Sequence, residues 1–202
     1  ENVWFYPARD LLFYHADIKG AFLTGKRMEV LRAIVEKKGR EAITVVTTMD
    51  AFLDGLPSKE ELCGNRIKIH AEEALDFQKL QENLSILGYE RENQVESPGQ
   101  FAVRGGILDV FPLTEENPVR IELWGDEVDS IRSFDVESQR STENLQEIEI
   151  YPATENWKQM ETESFLAYFP VKETILFLDE PVRLQESAEI VEKEYFHSLE
   201  SR

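Results

Sequence analysis

Apolar residues recur along this chain at two spacings, and the switches between them divide it into three stretches. Val3-Trp-Phe-Tyr6 is a continuous apolar run closed by Pro7, the pattern of a buried strand. From Thr24, which has the chemistry of a helix N-cap, Met28, Leu31, Ile34 and Val35 return at helical spacing until Lys37-Lys38-Gly39 stops them. Ala42 to Thr47 is short and β-branched, as a central strand is, and Asp50 to Leu56 predicts a brief helix ended by Pro57. Strand, helix, strand, helix in this order predicts an α/β layer with parallel strands.

Past Gly64 the period changes. Ile67 and Ile69 alternate with Lys68 and His70, as in a half-exposed strand, and a helix follows with Phe77, Leu80, Leu84 and Leu87 on one stripe and Gly88 as its left-handed cap. Strand signals then take over. Phe101 to Phe111 is strongly strand-like, and Val119 to Phe134 reads as a hairpin around Gly125-Asp126. This middle stretch predicts a helix on an antiparallel or mixed sheet. After Ile148-Glu-Ile-Tyr-Pro152 the first pattern returns: Thr174 to Leu178 is a buried β-run, and Pro181 opens a helix carrying Leu184, Ala188, Val191 and Phe196. The division expected is residues 1–64 and 153–202 as two parts of one α/β domain, with 65–152 inserted as an α+β domain.

Charge sharpens this division. The chain of 202 residues carries a formal net charge of −18, and residues 65–152 hold 8 basic against 19 acidic groups. Such a surface repels a phosphate backbone, so direct DNA binding is disfavoured. One cysteine, Cys63, excludes an internal disulfide, and His15, His70 and His197 are too scattered for a zinc site. No apolar run approaches the roughly 20 residues needed to cross a bilayer, so the expectation is a cytoplasmic chain without metal or other cofactor. It starts at Glu1 and enters an apolar run at once, as an excised piece of a longer protein would.

Two motifs come close to ATPase chemistry. Gly20-Ala-Phe-Leu-Thr-Gly-Lys-Arg27 has the glycines and lysine of a phosphate-binding loop, but that loop needs a serine or threonine hydroxyl for magnesium where Arg27 stands. A buried strand should precede it, and His15 to Lys19 contains no β-run. Ile175-Leu-Phe-Leu-Asp-Glu180 has the form of a metal-aspartate strand, although apolar runs ending in acids also cap helices. Together they outline a nucleotide-binding fold without its chemistry. Carboxylate pairs such as Glu72-Glu73 are expected in so acidic a chain, and no catalytic constellation emerges. A nucleotide-binding ATPase or helicase domain is the alternative reading.

Arg104 precedes Gly105-Gly106 inside a strand pattern, where a bulge would aim it outward. In Val119 to Trp124 the period of two puts Val119, Ile121 and Leu123 on the core face, and Arg120, Glu122 and Trp124 on the other. Arginine and tryptophan are enriched at interface hot spots, so this face is a candidate protein-binding site. The alternative is ordinary surface, with Trp124 packed under a loop and the arginines paired to local acids such as Glu122.

These residues also carry a family likeness. Gly88 to Ser141, with "QFAVRGGILDVFP" and "ENPVRIELWGDEVDSIRSFDVESQRS", closely resembles the second domain of the bacterial transcription-repair coupling factor (Mfd) family, a fold shared with the excision-repair helicase UvrB. "FYPARDLLFYHADIKGAFLTGKRMEVLRAI" and "TILFLDEPVRL" are similar to the flanking subdomains. The resemblance implies a partial, degenerate helicase-motor-like (RecA-like) parallel-sheet domain that has lost nucleotide binding and carries an inserted UvrB-domain-2-like domain. It implies a non-catalytic module that recruits UvrA to stalled RNA polymerase in nucleotide excision repair. Polymerase and DNA would be met only through other domains. By this resemblance the family's UvrA contacts would fall on Arg104, Arg120 and Trp124, the last standing where relatives often have phenylalanine, with Glu122 carried over from the UvrB side. The stretch between Pro152 and Phe165 is shorter than the family pattern.

Overall fold

In the computed structural model, the described residues are 2–9, 16–37, 42–155 and 162–200. Strands β1 (Val3–Tyr6) and β2 (Thr44–Thr47) pair in parallel, Val3 beside Thr44 and Tyr6 beside Thr47. Between them in sequence runs α1 (Ala16–Val35), whose Met28, Val30, Leu31 and Ile34 are buried. α2 (Met49–Phe52) is capped by Thr48 and is shorter than its pattern predicts, because Gly55–Leu56 form a strand, β3, rather than its last turn. α3 (Lys59–Gly64) starts at a reciprocal capping box between Ser58 and Glu61, which satisfies two otherwise orphaned donors.

β4 (Ile67–His70) leads into α4 (Phe77–Ile86), which buries Leu80 and Leu84. Gly88 ends this helix at φ 88°, and a Cβ there would lie 2.6 Å from the Thr154 side chain, so both backbone and packing demand glycine. The strands that follow are β5 (Glu90–Arg91), β6 (Gln100–Arg104), β7 (Ile107–Val110), β8 (Val119–Trp124), β9 (Glu127–Phe134) and β10 (Ser141–Leu145). They form one mixed sheet in the order β10-β9-β8-β7-β6-β5, parallel only between β5 and β6. β11 (Glu147–Ile150) pairs antiparallel with β4. α4 and this ribbon cover one face of the sheet, giving a core of Leu80, Leu84, Leu108, Val110, Ile121 and Ile148 among others.

A second core joins Tyr6, α1, α2 and α3 to Tyr151 and Phe165. Here β12 (Glu163–Ser164) pairs with β3, a 3₁₀ turn covers Phe165–Tyr168, and α5 (Pro181–Glu200) packs against α2. The chain passes from the first core to the second between Ile150 and Tyr151, where the Tyr89 hydroxyl of the first core donates to the Tyr151 carbonyl at 2.9 Å.

Three expectations need correction. Thr24 is not an N-cap: α1 begins at Ala16, so Gly20 to Arg27 is wholly helical. Its Gly25 is explained by packing, since a Cβ would come within 3.0 Å of the Leu113 carbonyl oxygen. Thr174 to Leu178 is not a buried strand, since Ile175 and Phe177 are 78% and 86% exposed and no described strand lies alongside to complete its hydrogen bonds. Gly105-Gly106 is not a bulge but the two-residue turn that joins β6 to β7, with Gly105 at φ 60°. Of the shortened stretch between Pro152 and Phe165, residues 156–161 lie outside the described residues, as do residues 38–40 at the predicted helix stop.

Candidate functional site

The alternation that sends Leu108, Val110, Val119 and Ile121 into the core sends their neighbours to the opposite face of the sheet. Asp109 on β7 lies directly between Ala102 on β6 and Arg120 on β8. Arg104, the last residue before the turn, is one step along, opposite Ile107, and Ile107 faces Glu122. A register shift between Glu122 and Leu123 then carries Trp124 to the end of the hairpin.

Trp124 is 84% exposed, so it does not pack under a loop. Arg104 and Arg120 do pair with a local acid, but that acid is Asp109 and not Glu122. Arg120 donates to both Asp109 oxygens, from Nε at 2.7 Å and Nη2 at 2.8 Å, and Arg104 Nη2 adds a bond at 3.1 Å. These hydrogen bonds push the Arg120 pKa above its ordinary value, against a smaller opposing effect of burial, so the group is a permanent cation. Its plane lies 4.5 Å over the Phe134 ring. Glu122 is engaged elsewhere, with Arg132 and with Ser130 Oγ at 3.3 Å. Arg104, Arg120, Gln94, Gln139 and Ile107 border a depression of about 370 Å³.

Asp109, Phe134 and Gln139 are the parts of this site that the sequence reading missed. The period of two between Leu108 and Val110 marks Asp109 as facing away from the core, which is a legible signal. Gln139 is placed by a backbone φ of 57°, unusual for a residue other than glycine, asparagine or aspartate, and no pattern announces it.

The residues resembling a phosphate loop sit on α1, far from this face in sequence and chemistry. Lys26 is exposed and paired with Glu29 at 2.8 Å. Arg27 is fully buried, donating to Glu155 at 2.6 Å and to the Pro7 carbonyl at 2.6 Å, with Asp54 at 3.0 Å and the Tyr6 ring 4.2 Å away. A helix whose inner side is filled this way presents no free amides to a phosphate. Among the described residues no cluster of histidines, cysteines or acids could hold a metal ion, and no helix is long and apolar enough to cross a membrane.

Residues 67–156 match the family described as the UvrB interaction domain. The chain is 39% identical over 154 residues to the transcription-repair-coupling factor of Bacillus subtilis (strain 168), a match covering 76% of this chain and 13% of that protein. Against the transcription-repair-coupling factor of Staphylococcus aureus (strain MRSA252) the identity is 34% over 155 residues, 77% of this chain and again 13% of the relative. The chain therefore corresponds to a small part of these relatives' length.

Proposed function

We propose that this chain is a protein-interaction module that binds UvrA, a reading supported by the match of residues 67–156 to the UvrB interaction domain family and by the similarity to transcription-repair-coupling factors. The observation that carries the reading is Trp124, 84% exposed on the same strand face as Arg120, with Arg104 two strands away in the same sheet. An aromatic with no intramolecular cover and two oriented cations is the composition of an interface hot spot. In this reading residues 65–152 meet the partner, while 1–64 and 153–202 are a degenerate motor-like support that does no nucleotide chemistry. Within a longer cytoplasmic protein the module would bring UvrA to stalled RNA polymerase.

The test is binding of purified chain to UvrA by calorimetry, with Trp124→Ala as the probe. Trp124 supports no core, so the variant folds as the parent does. Loss of a hot spot costs about 2 kcal/mol, roughly a 30-fold weaker complex. A Trp124→Ala complex as tight as the parent's would remove this face from the interface. Arg120→Glu is a poorer probe than it looks from sequence, because it would set a second carboxylate against buried Asp109.

A further inference from the structure

The two arginines of this face are held from beneath by Asp109 and Phe134, both buried, and at the side by the half-buried Gln139. Asp109 is 1% exposed, and a buried carboxylate is tolerated only when paired and hydrogen-bonded. It takes two bonds from Arg120 and one from Arg104. Gln139 Oε1 accepts a further bond from Arg120 Nη2 at 3.2 Å, while its Nε2 donates to the Val136 carbonyl at 2.8 Å. Phe134 closes the remaining side. These bonds engage Nε and Nη2 of Arg120 and Nη2 of Arg104, and both side chains also line the depression they share with Ile107, Gln94 and Gln139.

We infer that Asp109 and Gln139 are positioning residues of the binding site, fixing the guanidinium planes of Arg104 and Arg120 before the partner arrives. The inference rests on the reading of this face as the UvrA-binding one. Its physical content is preorganisation. A free arginine gives up rotamer freedom when it binds, whereas a held one gave it up on folding. Loss of the hold therefore shortens the life of the complex. Loss of the Asp109 charge also makes the site more positive, so association with an acidic surface does not slow. A residue with a merely structural role would lower the folded fraction and leave the rates of the folded molecules unchanged.

The experiment measures association and dissociation rates with UvrA for the parent, Asp109→Asn and Gln139→Gly. Glycine is chosen at position 139 because it accepts the φ of 57° without strain. The expected result is an association rate equal to the parent's or faster, with dissociation accelerated ~10-fold by Asp109→Asn and ~3-fold by Gln139→Gly. Dissociation at the parent rate in Asp109→Asn overturns the inference while leaving the UvrA reading intact. Should Asp109→Asn not fold, the same result in Gln139→Gly overturns it. A parent chain that does not bind UvrA fails the underlying reading and takes this inference with it.

Discussion

Arg27 and Arg120 have similar surroundings: each lies over an aromatic ring, Tyr6 or Phe134, and each is ion-paired, Arg27 to Asp54 and Glu155 and Arg120 to Asp109. They differ in where water stands. Arg27 is fully buried, and its partners Asp54 and Glu155 come from the turn after α2 and from the chain leaving the sheet domain. Arg120 keeps an exposed edge, and its partners come from neighbouring strands and one turn of a single domain. The first centre ties α1 to the start and the return of the chain. The second presents a charge. Burial, and not residue type, separates a structural arginine from one available to a partner, which is why a motif search on α1 goes astray.

The comparison is broken most severely at Arg27. Arg27→Met keeps the volume and removes the buried cation, leaving Glu155 and Asp54 to the half-exposed Arg9, at 2.9 and 3.6 Å. Breaking a buried ion pair from one side costs about 3–5 kcal/mol. Urea unfolding of the chain should show a loss of this size. Stability unchanged in Arg27→Met would mean that the centre is not what fixes α1.

Arg120→Met is the matched experiment on the second centre. Asp109 keeps Arg104 at 3.1 Å and water reaches the rim, so the expected cost is smaller, about 1–3 kcal/mol. UvrA binding should suffer more than folding does, the reverse of the order expected at Arg27. Equal losses of stability in the two methionine variants would erase the distinction between the centres.

The sheet domain was more legible than the α/β part, for a physical reason. Its strands alternate over an adjacent core, so Val119 to Trp124 could be assigned face by face, and Gly88 and Gly125-Asp126 mark turns that only such backbones need. The outward placement of Arg120 and Trp124 followed from period alone, whereas that of Arg104 was expected from a bulge and comes instead from its place before the two-residue turn. Their partner did not: Asp109 reaches two arginines through the register of three strands, and register is a tertiary property. Thr174 to Leu178 shows the opposite failure. Its residues prefer a strand, but a strand exists only beside another strand, and propensity says nothing of the neighbour. Arg27 shows a third kind, in which a residue that disqualifies a phosphate loop turns out to be the centre of a buried ion cluster.

The smallest expected effect concerns acid. At the second centre Asp135 accepts hydrogen bonds from Ser138 N at 2.8 Å and Oγ at 2.6 Å, which hold its carboxyl below the ordinary aspartate range. Asp135 begins the turn that ends at Gln139, whose amide donates to the Asp135 carbonyl at 2.8 Å. A depressed folded pKa gives stabilisation that is complete above the ordinary value of about 3.9 and is lost as pH falls through the folded one. At the first centre burial pushes the Asp54 carboxyl up, with Arg27 and Arg9 opposing but not cancelling it. That contribution has the other sign: the folded chain holds its proton more tightly, so stability from Asp54 declines as pH rises from the ordinary value through the raised one. The two carboxyls should therefore titrate on opposite sides of an unfolded aspartate when followed by NMR. Ser138→Ala should move Asp135 back towards the ordinary value and leave Asp54 where it is. If Asp135 titrated unchanged in that variant, the turn that braces Gln139 would not depend on Ser138.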